Sequence, residues 1–220
     1  MADNFLAFLY KTKLNEIKLI DIYKKLSDET LLRIIDDIND NDNGNVNQNV
    51  TKKENIDIVY IFCDGGVKNN GKPNSKGAYS VYFNDEKYHK FNITKEISEP
   101  TNNKAELSGI RKICKILYDN KTLFKNKEII ICTDSLYSIK CVTTWYKNWI
   151  KNGWKTAKNE PVKNKDLIEQ IINVTNNIEA KISFKHIFSH TKEPKQKDNL
   201  EWLLWNGNNI VDTNINKSLE

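Results

Sequence analysis

Four carboxylates stand where separate segments of the chain are expected to converge. Asp64 closes the apolar run IDIVYIFCD (56–64) and precedes Gly65-Gly66, and Asp134 closes EIIICTD (128–134) just ahead of a helical segment. Glu106 is in register with Ile110, Ile113 and Leu117 at i+4, i+7 and i+11, and Asp212 with Ile215 and Leu219 at i+3 and i+7. Both therefore lie on or beside a helix face that packs inward, a costly place for a lone charge. Each acid has an ordinary structural reading: Asp64 as a turn residue, Asp134 as an N-cap, Glu106 and Asp212 as helix-edge charges. As a set they point to chemistry. Converging carboxylates repel one another unless cations neutralise them, and hard oxygen donors suit Mg²⁺ or Mn²⁺. Two such ions roughly 3.5–4 Å apart stabilise the attacking and leaving oxygens of an in-line phosphoryl displacement.

The elements that position these groups follow from hydropathy patterning. IDIVYIFCD is apolar on both parities, as a central strand covered on both faces must be. GAYSVYFN (77–84) and KYHKFNI (87–93) alternate and are separated by Asp85-Glu86, which predicts a hairpin. A helix is expected over about 103–118 and a buried strand over 128–134. A helix from Ser135, with a second segment near 145–152, comes next, then a helix over 163–177. A strand over 181–189 and a last helix over about 208–219 complete the order. The class is α/β: a mixed five-stranded sheet flanked by helices, whose strand ends line the crevice where ligands bind.

The chain has 220 residues, 39% apolar and 29% charged, enough for one domain with a real core plus an appendage. Residues 4–24 and 28–39 show helical spacing, with Ser27 as an N-cap, so 1–39 is expected to be a small helical N-terminal appendage. The Asn-rich segment 40–54 is expected to be a linker, because such a tract buries too little apolar surface to order itself. Fewer than about 40 residues seldom fold alone, so the N-terminal helices are expected to dock on the body, self-associate or bind a protein partner. No stretch approaches the roughly 20 apolar residues of a membrane span, and the first residues lack the basic region of a secretory signal. An intracellular protein without membrane contact is the expectation. Cys63, Cys114, Cys132 and Cys141 form no CxxC pair and are expected to be reduced thiols. The net charge of +5 hides an asymmetry: residues 1–50 carry 6 basic against 9 acidic groups, the remainder 28 against 20. A basic body suits a polyanionic partner.

CDGG (63–66), TNNKAEL (101–107), TDSLYS (133–138) and GNNIVD (207–212) resemble, in order, the four acidic motifs of the type 1 ribonuclease H family. NWIKNGWKTAKNEPVKNKDL (148–167) is similar to that family's basic protrusion and the segment after it. The resemblance runs from about 56 to 218 and implies a catalytic domain over 55–220. It implies an endonuclease that hydrolyses the RNA strand of RNA–DNA hybrids, leaving 5′-phosphate and 3′-hydroxyl ends. It also implies two Mg²⁺ ions, with Mn²⁺ as a substitute, held by Asp64, Glu106, Asp134 and Asp212.

His190 matches a loop histidine that aids product release in that family, and its near-neutral intrinsic pKa suits proton traffic. It stands 22 residues before Asp212, a longer separation than is usual there. His186, within the last strand, is expected to pack. By resemblance Asn70, Asn102 and Asn103 touch RNA 2′-hydroxyls, the group that distinguishes RNA from DNA. Thr101 and Asn164 match residues holding a DNA phosphate, although Glu99 stands where the family often has an arginine. Tyr137, Trp145 and Trp149, interleaved with Lys147, Lys151 and Lys155, resemble the groove that grips the DNA strand. Two alternatives are a hybrid-binding module that has lost catalysis and another nuclease on the same fold, such as a resolvase or integrase relative. A pure binder has no use for four clustered acids, and TNNKAEL with the basic protrusion favours the ribonuclease.

Overall fold

Strand β1 (Ile58–Lys68) is the middle of a five-stranded sheet in the computed structural model, which describes residues 57–189 and 191–220. The expected N-terminal helices, the linker and His190 lie outside the described residues. On one side β1 pairs antiparallel with β2 (Lys76–Phe83), which pairs antiparallel with β3 (Ile93–Ile97). On the other it pairs parallel with β4 (Glu128–Thr133), which pairs parallel with β5 (Lys181–His186). The order is β3-β2-β1-β4-β5.

Apolar runs on both parities are used on both faces. Val59, Ile61 and Cys63 of β1 join Ile129 and Ile131 of β4 in the larger core, while Phe62 and Cys132 point into a smaller one. Helix α1 (Asn102–Asp119) covers the larger core with Leu107, Ile110, Ile113, Cys114 and Leu117, and the four-residue α2 (Lys121–Phe124) adds Phe124. Helices α3 (Leu136–Lys140) and α4 (Tyr146–Lys151) are joined by a π-turn, Cys141–Trp145. Helix α5 (Lys165–Thr175) contributes Ile168 and Ile171. The other face is closed by α6 (Leu200–Ser218), with Val211 in the smaller core. All four cysteines are buried and unpaired. Among the described residues no helix is long and apolar enough to cross a membrane.

Several boundaries differ from the sequence reading, three of them outside β1. KYHKF does not continue a hairpin: Glu86–Phe91 is a 3₁₀ helix, capped where Asp85 accepts from the Lys87 N–H at 3.1 Å. Tyr88 and Phe91, three residues apart, fall on one side of this tight helix and pack with Phe83 and Phe124. That aromatic burial outweighs the strand-like alternation, and β3 begins only at Ile93. Strand β5 stops at His186 rather than 189. The last helix begins at Leu200, where Asn199 Oδ1 accepts from the Trp202 N–H at 2.9 Å. Much of the long interval before Asp212 is therefore helix rather than loop.

Candidate active site

The pairing of β1 with β4 ends at Phe62 opposite Cys132. Two residues further along each strand are Asp64 and Asp134, level with one another where the parallel strands part. Asp64 does not end its strand: β1 continues to Lys68 against β2, with Asp64 opposite Ser80. Asp134 opens the turn into α3, and its carbonyl oxygen accepts from His186 Nε2 at 3.0 Å. The histidine of β5, expected only to pack, thus anchors the main chain of this acid.

Glu106 reaches the pair because α1 lies unusually close to β1. A Cβ at Gly65 would run into the backbone of Ala105 and Glu106, and one at Gly109 would meet Cys63 Cβ at 3.2 Å. Only glycine at 65 permits this approach. Glu106 Oε2 accepts from the hydroxyl of Ser135 and, at 3.1 Å, from that of Ser138. Ser135 Oγ also caps α3 by accepting from the Ser138 N–H at 3.1 Å. Asp212 arrives from the opposite face. Its helix presses Gly207 onto the Phe62 ring and brings Ile215 against Gly66, and Asp212 lies between these two contacts.

The four carboxylates line one cleft of about 620 Å³, together with Lys68, Phe188, Trp205 and Asn208. Their proximity has an electrostatic signature. Burial, reinforced by the Asp134 charge and by smaller repulsion from Asp212 and Glu106, pushes the Asp64 carboxyl up to about 7, against the pull of its 2.6 Å bond from the Gly65 N–H. Burial likewise raises Glu106, while the Ser135 and Ser138 hydroxyls draw it down and Asp134 pushes it up. Among the described residues no three His, Cys, Asp or Glu side chains close around a single point, and the four acids share the cleft lining. A wall of hard, mutually repelling oxygens fits divalent cations of the Mg²⁺ kind better than soft or nitrogen-seeking metals.

Comparison with known proteins shows the family and the fold. The family model described as RNase H matches residues 56–217. A curated "Ribonuclease H" of Pseudomonas putida is 34% identical over 138 residues, 63% of this chain and 85% of that protein. The chain belongs to the RNase H family. A solution structure of a PFV RNase H domain shares the fold, with a TM-score of 0.55 at 14% identity over 73% of this chain and 93% of that one. So does a foamy viral protease-reverse transcriptase solved in complex with RNA/DNA hybrid, with a TM-score of 0.51 at 17% identity over 88% of this chain and 26% of that one.

The other residues singled out in this RNase H chain fall into two groups beside the cleft. Asn70, Thr101, Asn102, Asn103 and Asn164 share one hollow with Lys163. Thr101 caps α1, accepting from the Lys104 N–H at 3.3 Å, and Asn164 takes a left-handed backbone, φ 57°, just before α5. Tyr137, Trp145, Trp149 and Trp154 form a ladder with successive ring centroids 5.8, 5.8 and 6.2 Å apart. Lys140 lies over Trp145, and Lys151 is exposed at the end of α4. Sequence reasoning missed Ser135, Ser138, Lys163, Trp205 and Asn208. The two serines stand inside TDSLYS, and their i, i+3 spacing behind Asp134 was the available signal.

Proposed function

We propose that this RNase H enzyme hydrolyses the RNA strand of RNA–DNA hybrids by two-metal-ion catalysis, leaving 5′-phosphate and 3′-hydroxyl ends. The observation that carries this reading is the convergence of Asp64, Glu106, Asp134 and Asp212, from four separate segments, on one cleft. Those residues would hold two Mg²⁺ ions, with Mn²⁺ as a substitute, and the bound pair supplies charge stabilisation of the attacking and leaving oxygens. The Gly65 N–H fixes the Asp64 carboxylate, the two serine hydroxyls fix that of Glu106, and His186 steadies the turn that carries Asp134. The name of the Pseudomonas relative and the hybrid on the foamy viral enzyme support the choice of substrate.

Asn70, Asn102 and Asn103 read 2′-hydroxyls of the RNA strand in this scheme. Thr101 and Asn164 hold a DNA phosphate, while Tyr137, Trp145, Trp149 and Lys151 grip the DNA strand. His190 assists product release. Residues 1–54 serve as an intracellular docking or self-association element outside the catalytic unit. The test is cleavage of hybrid, duplex RNA and duplex DNA, each with Mg²⁺ and with EDTA. Only the hybrid with Mg²⁺ should be cut efficiently, and Asp134→Asn should abolish cutting while leaving the circular dichroism spectrum unchanged. Comparable cutting of duplex DNA, or full activity of the Asn variant, would end this account.

A further inference from the structure

A recess outside the catalytic cleft shares Asn164 with the Thr101–Asn164 hollow. It is bounded by the end of β3, by Lys104, Ser108 and Arg111 on one stripe of α1, and by the first turn of α5, beginning with Lys165. Arg111 is the unusual member. Of 34 basic residues in the chain only two are arginine, and the other is Arg33, far away in sequence. The Arg111 Nε is buried without a partner, and one terminal nitrogen, Nη1, donates to Gln170 Oε1 at a long 3.4 Å. A guanidinium presents five donors in a fork that matches two oxygens of a phosphate, and most of this fork is unspent. Lys104 is held at the rim by the carbonyls of Ser98 and Glu99, at 3.0 and 3.2 Å. Lys165 lies over the Trp154 face, 5.6 Å from the ring centre. Glu96 and Asp166 also line the recess, but both are exposed, where water screens their charge.

We propose that this recess binds a backbone phosphodiester of nucleic acid, the continuation of the strand held at Thr101 and Asn164, with Arg111 as its bidentate ligand and Lys104 and Lys165 flanking it. The proposal rests on the hybrid-nuclease reading above. An elongated row favours a polymer over a lone anion. Lys104 and Arg111 are two helical turns apart, about 10 Å, and the row continues from a hollow already assigned to the strand.

The experiment measures hybrid binding by the full chain in EDTA, where nothing is cut. One hybrid just reaches the Thr101–Asn164 hollow, and a second extends several base pairs beyond it. Arg111→Gln should weaken the long hybrid about three- to tenfold and leave the short one unchanged. It should also lower the slope of log Kd against log salt by about 0.9, the loss of one phosphate contact. Arg111→Lys should keep the slope but recover only part of the affinity. Lys104→Gln and Lys165→Gln should show the same length dependence and carry the test if Arg111→Gln does not fold. Unchanged long-hybrid binding in the folded variants overturns the proposal, as does equal weakening of both hybrids. So does thermal stabilisation by inorganic phosphate that needs Arg111 while hybrid affinity does not. A wild-type chain that binds no hybrid would instead remove the function on which the proposal rests.

Discussion

The imidazole of His186 donates from Nε2 to the main-chain oxygen of Asp134 at 3.0 Å, tying the end of β5 to the turn that aims a carboxylate into the cleft. His186→Ala leaves that acceptor without its donor. The expected cost is about 1–2 kcal/mol of stability in urea melts, with kcat falling more than KM changes, because the acid rather than the substrate groove is displaced. His186→Gln, which restores a donor, should recover part of both. An Ala variant with wild-type kcat would show that the bond does not position Asp134.

Ser135 and Ser138 bear on pH. Their hydroxyls stabilise the ionised form of Glu106, whose carboxyl is otherwise raised by burial. Replacing either serine by alanine should raise the Glu106 pKa further, so that less carboxylate is present at mildly acidic pH. The acid limb of the activity profile should then move to higher pH, further in the double variant. A limb that stays in place would assign it to another group.

The metal-free protein should lose stability on going from acid to neutral pH. Asp64 titrates near 7 in the folded chain and near its ordinary 3.8 when unfolded. Between about pH 4 and 7 the folded state keeps a proton that the unfolded state has released. That contribution, up to roughly 4 kcal/mol, is fully present below about pH 4 and is lost as pH rises through 7. Melting temperatures in EDTA should fall across this window, and Asp64→Asn should flatten the decline. Excess Mg²⁺ at pH 7.5 should reverse the loss by binding the folded state. An EDTA profile that rises instead would contradict the electrostatics of the cleft.

The aromatic ladder and the protrusion should separate kinetically. Lys151 is exposed, so Lys151→Ala should raise KM several-fold with little change in kcat or melting temperature. Trp149 is half-buried between Trp145 and Trp154 and packs on the larger core. Trp149→Ala should therefore raise KM and also cost about 2–3 kcal/mol of stability. A KM unchanged in both variants would remove this surface from substrate binding.

What the sequence revealed depended on how each element is buried. β1 and β4 are covered on both faces, so their burial appears as unbroken apolar runs, and the acids following those runs were legible with them. α1 carries Ile110, Ile113 and Leu117 on its inward face, and Glu106 was found by counting back along that stripe. The 3₁₀ helix at Glu86–Phe91 was hidden, because KYHKF satisfies period two as readily as a three-residue turn. Its decisive partner, Phe124, is more than thirty residues away in sequence. The early start of α6 was hidden because its signal is one capping asparagine after a polar stretch. The close approach at Gly65 appears in sequence only as a doubled glycine. That both serines of TDSLYS bond Glu106 depends on a residue 29 positions before Ser135, on another helix.

Asp212 is carried by the last helix, 148 residues after Asp64. The other three acids stand on β1, α1 and the turn after β4, all earlier in the chain than Gly207 and its contact with Phe62. The fourth is added by α6, docked on the other face of the sheet. Asp212 stays at the cleft only while Gly207 is seated on Phe62 and Ile215 on Gly66, so whatever unseats the last helix takes the fourth carboxylate with it.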